Sequence, residues 1–165
     1  MAGGLTTALA LWLMSGVSDH VPTAAVIVAL VALAAFTLAR DFRMIAVRLP
    51  ENRRLIPEVV FRQGPITAAA RFGYELGTGV RTYVPSTVPY LAGAAILLLQ
   101  PPMIHAVAVG AAFGLGRFLM PVLRFTTNDV AAWDATLKRR SAALVATAAV
   151  VATLDLAVLL TRTHL

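Results

Sequence analysis

Apolar stretches separated by short polar connections run along almost the whole chain, and several approach the length of a membrane-spanning helix. A helix needs about 20 mostly apolar residues to cross the hydrocarbon core of a bilayer. Residues 2–17 form a short first stretch that lacks the basic start and the cleavage pattern of a signal peptide. After a tight connection at residues 18–22, a second stretch continues without a charge to Leu38. We expect each stretch to form a helix.

Four further stretches complete the pattern. Residues 64–83 have a helical pattern interrupted by charges, residues 84–99 end at a Gln-Pro-Pro sequence, and residues 103–123 and 141–160 are long enough to cross a bilayer. Residues 124–140 are predicted to form a polar loop. The predicted fold is all-α: a polytopic transmembrane helical bundle of about six helices, or five if residues 64–83 do not cross. Because the spans use nearly the whole length, we expect residues 1–165 to form a single integral membrane domain.

Composition places the chain in lipid. Hydrophobic residues make up 59% of it and charged residues only 13%, and its mean hydropathy is +0.79. A soluble domain of 165 residues could not bury that much apolar surface. The lipid bilayer is therefore the first expected partner, with other membrane subunits or further copies of the chain beside it.

Positive charge is concentrated in the connections between spans. Six arginines lie between residues 40 and 62, and the formal net charge of the chain is +6. Basic loops of membrane proteins face the cytoplasm, so we expect residues 40–62 to be cytoplasmic in a multi-pass protein of a bacterial-type inner membrane. This distribution favours contact with anionic lipid over nucleic-acid binding.

Composition also argues against several chemistries. The chain has no cysteine, which excludes disulfides, thiol relays and thiolate metal sites. Its three histidines are scattered, and no phosphate-binding loop or nucleophile–base spacing occurs. We therefore expect no metal, no cofactor and no enzymatic activity. If the chain were an enzyme, its substrate would be expected to face the lipid.

The two halves of the chain, residues 1–83 and 84–165, resemble each other in their order of features. His20 precedes an apolar span that ends at Arg40, and His105 begins one that ends at Arg124. Three helices in each half would give an inverted repeat, which recurs in small transporters. Six crossings, however, place the two basic loops on opposite sides of the membrane, against the positive-inside rule. Five crossings remove this conflict.

Charged residues within residues 71–90 interrupt what would otherwise be a spanning segment. Arg71 and Glu75 are four residues apart and can pair along one helix face. A charge in the hydrocarbon must be paired or must face water. One interpretation is a substrate or ion pathway, with Glu75 as a cation or proton site and Arg71 or Arg81 as an anion contact. The other is a structural ion pair, or a helix end at the lipid headgroups.

Two further charges fall within the later spans. Asp155 lies inside the last span, and Arg117 lies inside the fifth. An unpaired carboxylate in the hydrocarbon would become protonated, so Arg117 is the expected partner of Asp155. The pair is interpreted either as a structural bridge or as part of the pathway.

Small residues are spaced for helix packing at two places. Gly73 and Gly77 are four residues apart, and so are Gly110 and Gly114 in the fifth span. Each pair places two glycines on one helix face, where another backbone can approach closely in lipid. We expect both pairs to pack against neighbouring helices.

The sequence Pro85-Ser86-Thr87-Val88-Pro89 follows the glycine-rich segment that contains Gly77 and Gly79, and it precedes an apolar span. The prolines deprive the helix of backbone hydrogen bonds, and the glycines let it loosen, so a helix break is predicted here. This stretch of about twenty residues resembles the core of the CcdA/DsbD-type, LysE-like cytochrome c biogenesis membrane proteins, in which a cysteine follows the first proline. Ser86 takes that place here. The resemblance implies two inverted three-helix halves without the thiol chemistry of the family.

Two functions follow from these patterns. The first is a transporter-like or permease-like helical core in which residues 71–90 line a polar centre with Arg117 and Asp155 nearby. The second is an accessory or assembly subunit that binds a larger membrane complex, with its charges serving as ion pairs. The sequence does not identify a substrate for the first or a partner for the second.

Overall fold

The computed structural model describes residues 2–47 and 86–163, and the regular structure within these ranges is helical, with no strand. The prediction of an all-α fold is confirmed there. Residues 64–83 lie outside the described residues, so the choice between five and six crossings stays a prediction. The helices are α1 (Ala2–Met14), a 3₁₀ helix (Ser15–His20), α2 (Thr23–Asp41), α3 (Val88–Leu99), α4 (Met103–Thr126) and α5 (Val130–Thr163).

Three of these helices are long and apolar enough to cross a bilayer. The spanning portions are Thr23–Asp41 of α2, Met103–Arg124 of α4 and Val130–Thr161 of α5. They are compatible with a membrane protein, as its composition predicts. The helices α1 and α3 are apolar but have only 13 and 12 residues. At 1.5 Å per residue they are about 20 and 18 Å long, which is shorter than the hydrocarbon core.

Prolines and one left-handed residue set the ends of the middle helices. Pro22 comes directly before α2, and its carbonyl oxygen accepts hydrogen bonds from the amides of Ala25 and Val26 in the first turn of that helix. Pro89 is the second residue of α3, where its missing N–H costs nothing. The same helix ends at Leu99, because Gln100 adopts a left-handed conformation (φ 47°) and two prolines follow.

The polar loop predicted at residues 124–140 is mostly helix. Helix α4 continues to Thr126, and α5 begins at Val130, so the connection has only three residues. A carboxylate oxygen of Asp129 accepts a 2.9 Å hydrogen bond from the amide of Ala132 and caps the new helix. The basic residues before position 141 therefore lie on the first turns of a long helix. Water solvates a polar helix surface as well as it solvates a loop, so polarity does not distinguish the two.

The described helices belong to two compact units. The first unit contains residues 2–10 and Pro102–Trp133, and the second contains residues 11–47, 86–101 and 134–163. The core of the second unit is formed by buried side chains from α2, α3 and α5, namely Val26, Leu30, Leu91 and Leu156. Each helix thus presents one apolar stripe to the same core.

Glycines bring two helix backbones together in the first unit. A Cβ added to Gly110 of α4 would lie 2.6 Å from the carbonyl oxygen of Gly4 and 2.7 Å from the Cβ of Ala8. A Cβ added to Gly4 would collide with the carbonyl oxygen of Gly110 and lie 3.2 Å from the amide nitrogen of Gly114. The structure therefore places the Gly110–Gly114 face of α4 against the start of α1. Gly73 lies outside the described residues.

Candidate functional site

The candidate site lies in the second unit, where α2 ends beside the start of α3. The buried residues of α2 are Val26, Leu30, Thr37 and Asp41, which follow one face of the helix. This face is apolar along most of its length and becomes polar over its last two turns. The side chain of Asp41 has no exposed surface, and Thr87 at the start of α3 is 1% exposed. We call the group formed by Asp41, Ser86 and Thr87 the Asp41 junction.

The carboxylate of Asp41 accepts hydrogen bonds from three groups at the start of α3. The hydroxyl of Ser86 donates at 2.6 Å, the hydroxyl of Thr87 at 3.0 Å, and the amide of Thr87 to both oxygens at 2.9 and 3.2 Å. The guanidinium of Arg40 pairs with the same carboxylate at 2.9 Å. A buried carboxylate is stable in a protein when it is paired and hydrogen-bonded in this way.

The junction also accounts for every backbone amide at the start of α3. Thr87 donates its amide to Asp41, and Val88 donates its amide to the Ser86 hydroxyl oxygen at 3.1 Å. Pro89 has no amide hydrogen, and the next two amides bond to the carbonyl oxygen of Thr87. A helix start buried away from water needs such partners for its free amides. A carboxylate at this end also interacts favourably with the helix dipole.

The end of α2 is closed by a Schellman motif that holds Asp41 in place. The amide of Met44 donates to the carbonyl oxygen of Ala39 at 2.8 Å, and the amide of Arg43 donates to that of Arg40 at 2.9 Å. Arg43 adopts φ 61°, a left-handed conformation that glycine usually supplies at this position. Asp41 is therefore the last residue of α2, two positions before the left-handed residue at which the chain changes direction.

One turn earlier on the same face, Thr37 is fully buried, and its hydroxyl oxygen has no hydrogen-bond partner among the residues that the structure describes. A hydroxyl in a helix usually bonds to a carbonyl of the preceding turn when no other partner is present. Buried polar atoms without a partner are uncommon in proteins. Thr37 is thus a buried hydroxyl, one turn from the Asp41 junction, with unused hydrogen-bonding capacity in the described region.

The other end of α3 is tied to the end of α1. The indole N–H of Trp12 donates to the carbonyl oxygen of Pro101 at 2.8 Å, and the side-chain amide of Gln100 donates to the carbonyl oxygen of Ser15 at 2.9 Å. Gly93 allows Leu11 to approach, because an added Cβ would lie 3.2 Å from its Cδ1. The carboxyl ends of the two short apolar helices therefore lie side by side.

The structure describes only some of the residues predicted to form a pathway. Ser86 and Pro89 are described, and both belong to the start of α3. The hydroxyl of Ser86 is engaged by Asp41. The remaining predicted residues of this segment lie outside the described ranges: Arg71, Gly73, Glu75, Gly77, Gly79, Arg81 and Pro85.

Arg117 and Asp155 are described, and each belongs to a different unit. The guanidinium carbon of Arg117 lies 5.7 Å from the centre of the Phe113 ring, one turn earlier on α4, at a distance typical of a cation–π contact. Asp155 is exposed on α5. A bridge between Arg117 and Asp155 stays a prediction.

Asp41 is a functional candidate that the sequence pattern does not indicate. Position 41 falls at the start of a basic polar connection, because arginines at 40 and 43 dominate the pattern there. The signal that could have drawn attention to it is a lone carboxylate in the last turn of an uncharged span, since the hydrocarbon boundary is a costly place for an unpaired acid. Its partners are 45 and 46 residues away and are not indicated by any local pattern.

Comparison with known proteins identifies no relative. No family model matches the chain, and neither a curated protein nor a solved structure matches it. The described residues also contain no group of three or more histidine or acidic side chains that could hold a metal ion.

Proposed function

We propose that this membrane protein has a transporter-like or permease-like helical core in which the Asp41 junction anchors one end of a polar pathway. The observation that carries the proposal is the junction itself, a cluster of buried polar groups where a spanning helix meets a helix too short to span. In transporters, short or interrupted apolar helices mark the substrate site. The unused hydroxyl of Thr37 beside the junction supports a polar pocket at this depth.

The junction places the start of α3 at the depth of the end of α2. We infer that the connection between Asp41 and Ser86 begins and ends on one side of the membrane, so that an even number of crossings, or none, is expected within it. This favours an arrangement in which residues 64–83 enter and leave on one face of the membrane. An inverted 3+3 repeat needs an odd number of crossings in that segment, so this arrangement disfavours it.

The same arrangement brings the basic connections to one side. Helix α4, with 24 residues and a length of about 36 Å, is long enough to cross the bilayer. From the positive-inside rule we infer that Arg124 and the basic residues 138–140 lie on the same side of the membrane as residues 40–62. By the positive-inside rule, that side is the cytoplasm of a bacterial-type inner membrane.

The alternative function is a non-catalytic accessory or assembly subunit of a larger membrane complex. One observation favours it. The carboxylate of Asp41 already accepts hydrogen bonds from Ser86 and Thr87 and pairs with Arg40, all within its own chain, as expected for a residue that only holds helices together. The exposed Asp155 on α5 also suits a contact with another subunit. Under this alternative the charged residues hold helices together, and no solute moves.

Ion flux in reconstituted vesicles distinguishes the two functions. We expect vesicles containing the purified chain to dissipate an imposed proton, sodium or potassium gradient faster than empty vesicles, as reported by trapped pH-sensitive and cation-sensitive dyes. Glu75→Gln should abolish this flux without changing the helical content measured by circular dichroism. Glu51→Gln, in the predicted cytoplasmic loop, is the matched control and should retain it. The absence of flux from the unmodified chain, together with a smaller native complex in Glu75→Gln, would support the accessory role instead.

A further inference from the structure

Asp155 occupies an unusual place on α5. The apolar part of this helix begins at Ser141, and Asp155 is the only charged residue between it and Leu160. At 1.5 Å per residue, Asp155 lies about 21 Å from Ser141 and about 8 Å from Leu160 along the helix axis. Its short side chain cannot reach the headgroups from there as a lysine or arginine can.

Asp155 also points away from the core of its unit. One face of α5 packs inward through Ala152, Leu156 and Leu160, which belong to the core cluster or contact it. Asp155 lies off this stripe and is exposed, with apolar neighbours that are exposed as well: Val151 is 52% exposed, Leu154 61% and Val158 50%. The exposed face of α5 is thus a lipid-facing surface with one carboxylate on it.

No residue that the structure describes partners this carboxylate, because Asp155 takes part in none of the ion pairs or hydrogen bonds found in residues 2–47 and 86–163. A carboxylate facing lipid is costly unless a cation or a hydrogen-bond donor meets it at the same depth. The apolar residues around it need no partner, since lipid covers them equally well. The carboxylate is therefore the group that selects what binds there.

We propose that the exposed face of α5 around Asp155 binds a transmembrane helix of a different protein, which carries an arginine or lysine at the depth of Asp155. Charge complementarity identifies the partner: a cationic side chain within an apolar helix has the same need for pairing as Asp155. A second copy of the chain fits less well. Residues 141–160 contain no cation, so a symmetric contact through α5 would bring two carboxylates together, and Arg117 within α4 already contacts Phe113 of its own helix. The inference rests on α5 crossing the bilayer and not on transport.

The test uses a model helix as the probe. The full chain is reconstituted into phosphatidylcholine and phosphatidylglycerol vesicles with a synthetic transmembrane helix of leucine and alanine that has one central arginine and a dansyl group. Energy transfer from the native tryptophans, Trp12 and Trp133, reports association. We expect the unmodified chain to bind this probe at about a tenfold lower concentration than a probe with leucine in place of arginine, a preference that corresponds to about 1.4 kcal/mol. Asp155→Asn should lose the preference, and Asp155→Glu should keep most of it.

Asp134→Asn, which removes a carboxylate from the polar start of the same helix, is the matched control and should bind both probes as the unmodified chain does. Equal binding of the arginine probe by Asp155→Asn would overturn the proposal. So would a homodimer of the chain that is lost only in Asp155→Asn, since the occupant would then be a second copy. Binding of the arginine probe only after Arg117→Leu would assign Asp155 to a bridge within the chain. Failure of probe binding leaves the ion-flux experiment unaffected, so the two proposals can fail separately.

Discussion

The carboxylate of Asp41 accepts a 2.6 Å hydrogen bond from the hydroxyl of Ser86, a residue 45 positions later in the chain. This contact joins the last residue of a helix long enough to span a membrane to a residue two positions before a shorter helix. It fixes where α3 begins, and it supplies the acceptor that the buried amide of Thr87 requires. Both the local stability of the second unit and the proposed topology depend on this one carboxylate.

Removing the carboxylate should destabilise the second unit. Asp41→Leu leaves the guanidinium of Arg40 and the donors of Ser86 and Thr87 without their acceptor, so we expect the free energy of unfolding to fall by about 3–5 kcal/mol. Asp41→Asn keeps the shape but loses the charge and one acceptor, and it should cost about 1–3 kcal/mol. Unfolding in mixed detergent micelles, followed by circular dichroism, measures both changes.

A double-mutant cycle separates this hydrogen bond from general damage. Ser86→Ala should cost about 1.5–3 kcal/mol in the unmodified chain, because its hydroxyl donates to a charged group, and much less when Asp41 is already Asn. Additive effects of the two substitutions would show that the hydroxyl and the carboxylate do not interact.

The left-handed residue that closes α2 offers a second test. Arg43 adopts φ 61°, so Arg43→Gly should raise the free energy of unfolding by about 0.5–1 kcal/mol, whereas the β-branched Arg43→Val should lower it by about 1–2 kcal/mol. Arg139→Gly, inside α5, removes the same charge and should instead lower stability by about 1 kcal/mol. A loss of stability in Arg43→Gly would contradict the assigned backbone conformation.

The close approach of α1 and α4 in the first unit has a matched control on the same helix. Gly110→Ala places a methyl group 2.6 Å from the carbonyl oxygen of Gly4, so we expect it to cost about 1–3 kcal/mol. An added Cβ at Gly116 meets nothing within 4 Å, and Gly116→Ala should gain up to about 1 kcal/mol from helix propensity. Thermal unfolding in detergent compares the two variants, and equal effects would mean that the helices do not pack through Gly110.

The proposed topology can be read from cysteine accessibility, because the chain has no native cysteine to interfere. Single cysteines introduced at Arg43 and Arg139 should react with a membrane-impermeant maleimide from the same side of oriented vesicles. Cysteines at His20 and His105 should react from the other side. Labelling of Arg43→Cys and Arg139→Cys from opposite sides would instead support six crossings and would reopen the inverted repeat.

Much of the helical layout could be predicted from hydrophobicity and helix-breaking residues. Apolar length predicts α2 and α4, because the bilayer imposes a minimum length on a span. The prolines at 22, 101 and 102 predict where α2 begins and where α3 ends at Leu99, because proline interrupts a helix. The prediction of a loop at residues 124–140 was wrong. A hydrophobicity pattern shows neither the capping by Asp129 nor the helix propensity of an exposed polar stretch.

The sequence by itself indicated an all-α membrane protein, since long apolar stretches with few charges suit a bilayer. Only the tertiary structure decided which polar groups meet. Asp41, Ser86 and Thr87 are apart in sequence, and a carboxylate can accept from any donor that packing delivers to it, so no local pattern could name its partners. Likewise, the exposure of Asp155 depends on which face of α5 packs inward, and that is fixed by the core of Leu30, Leu91 and Leu156 and not by the residue itself.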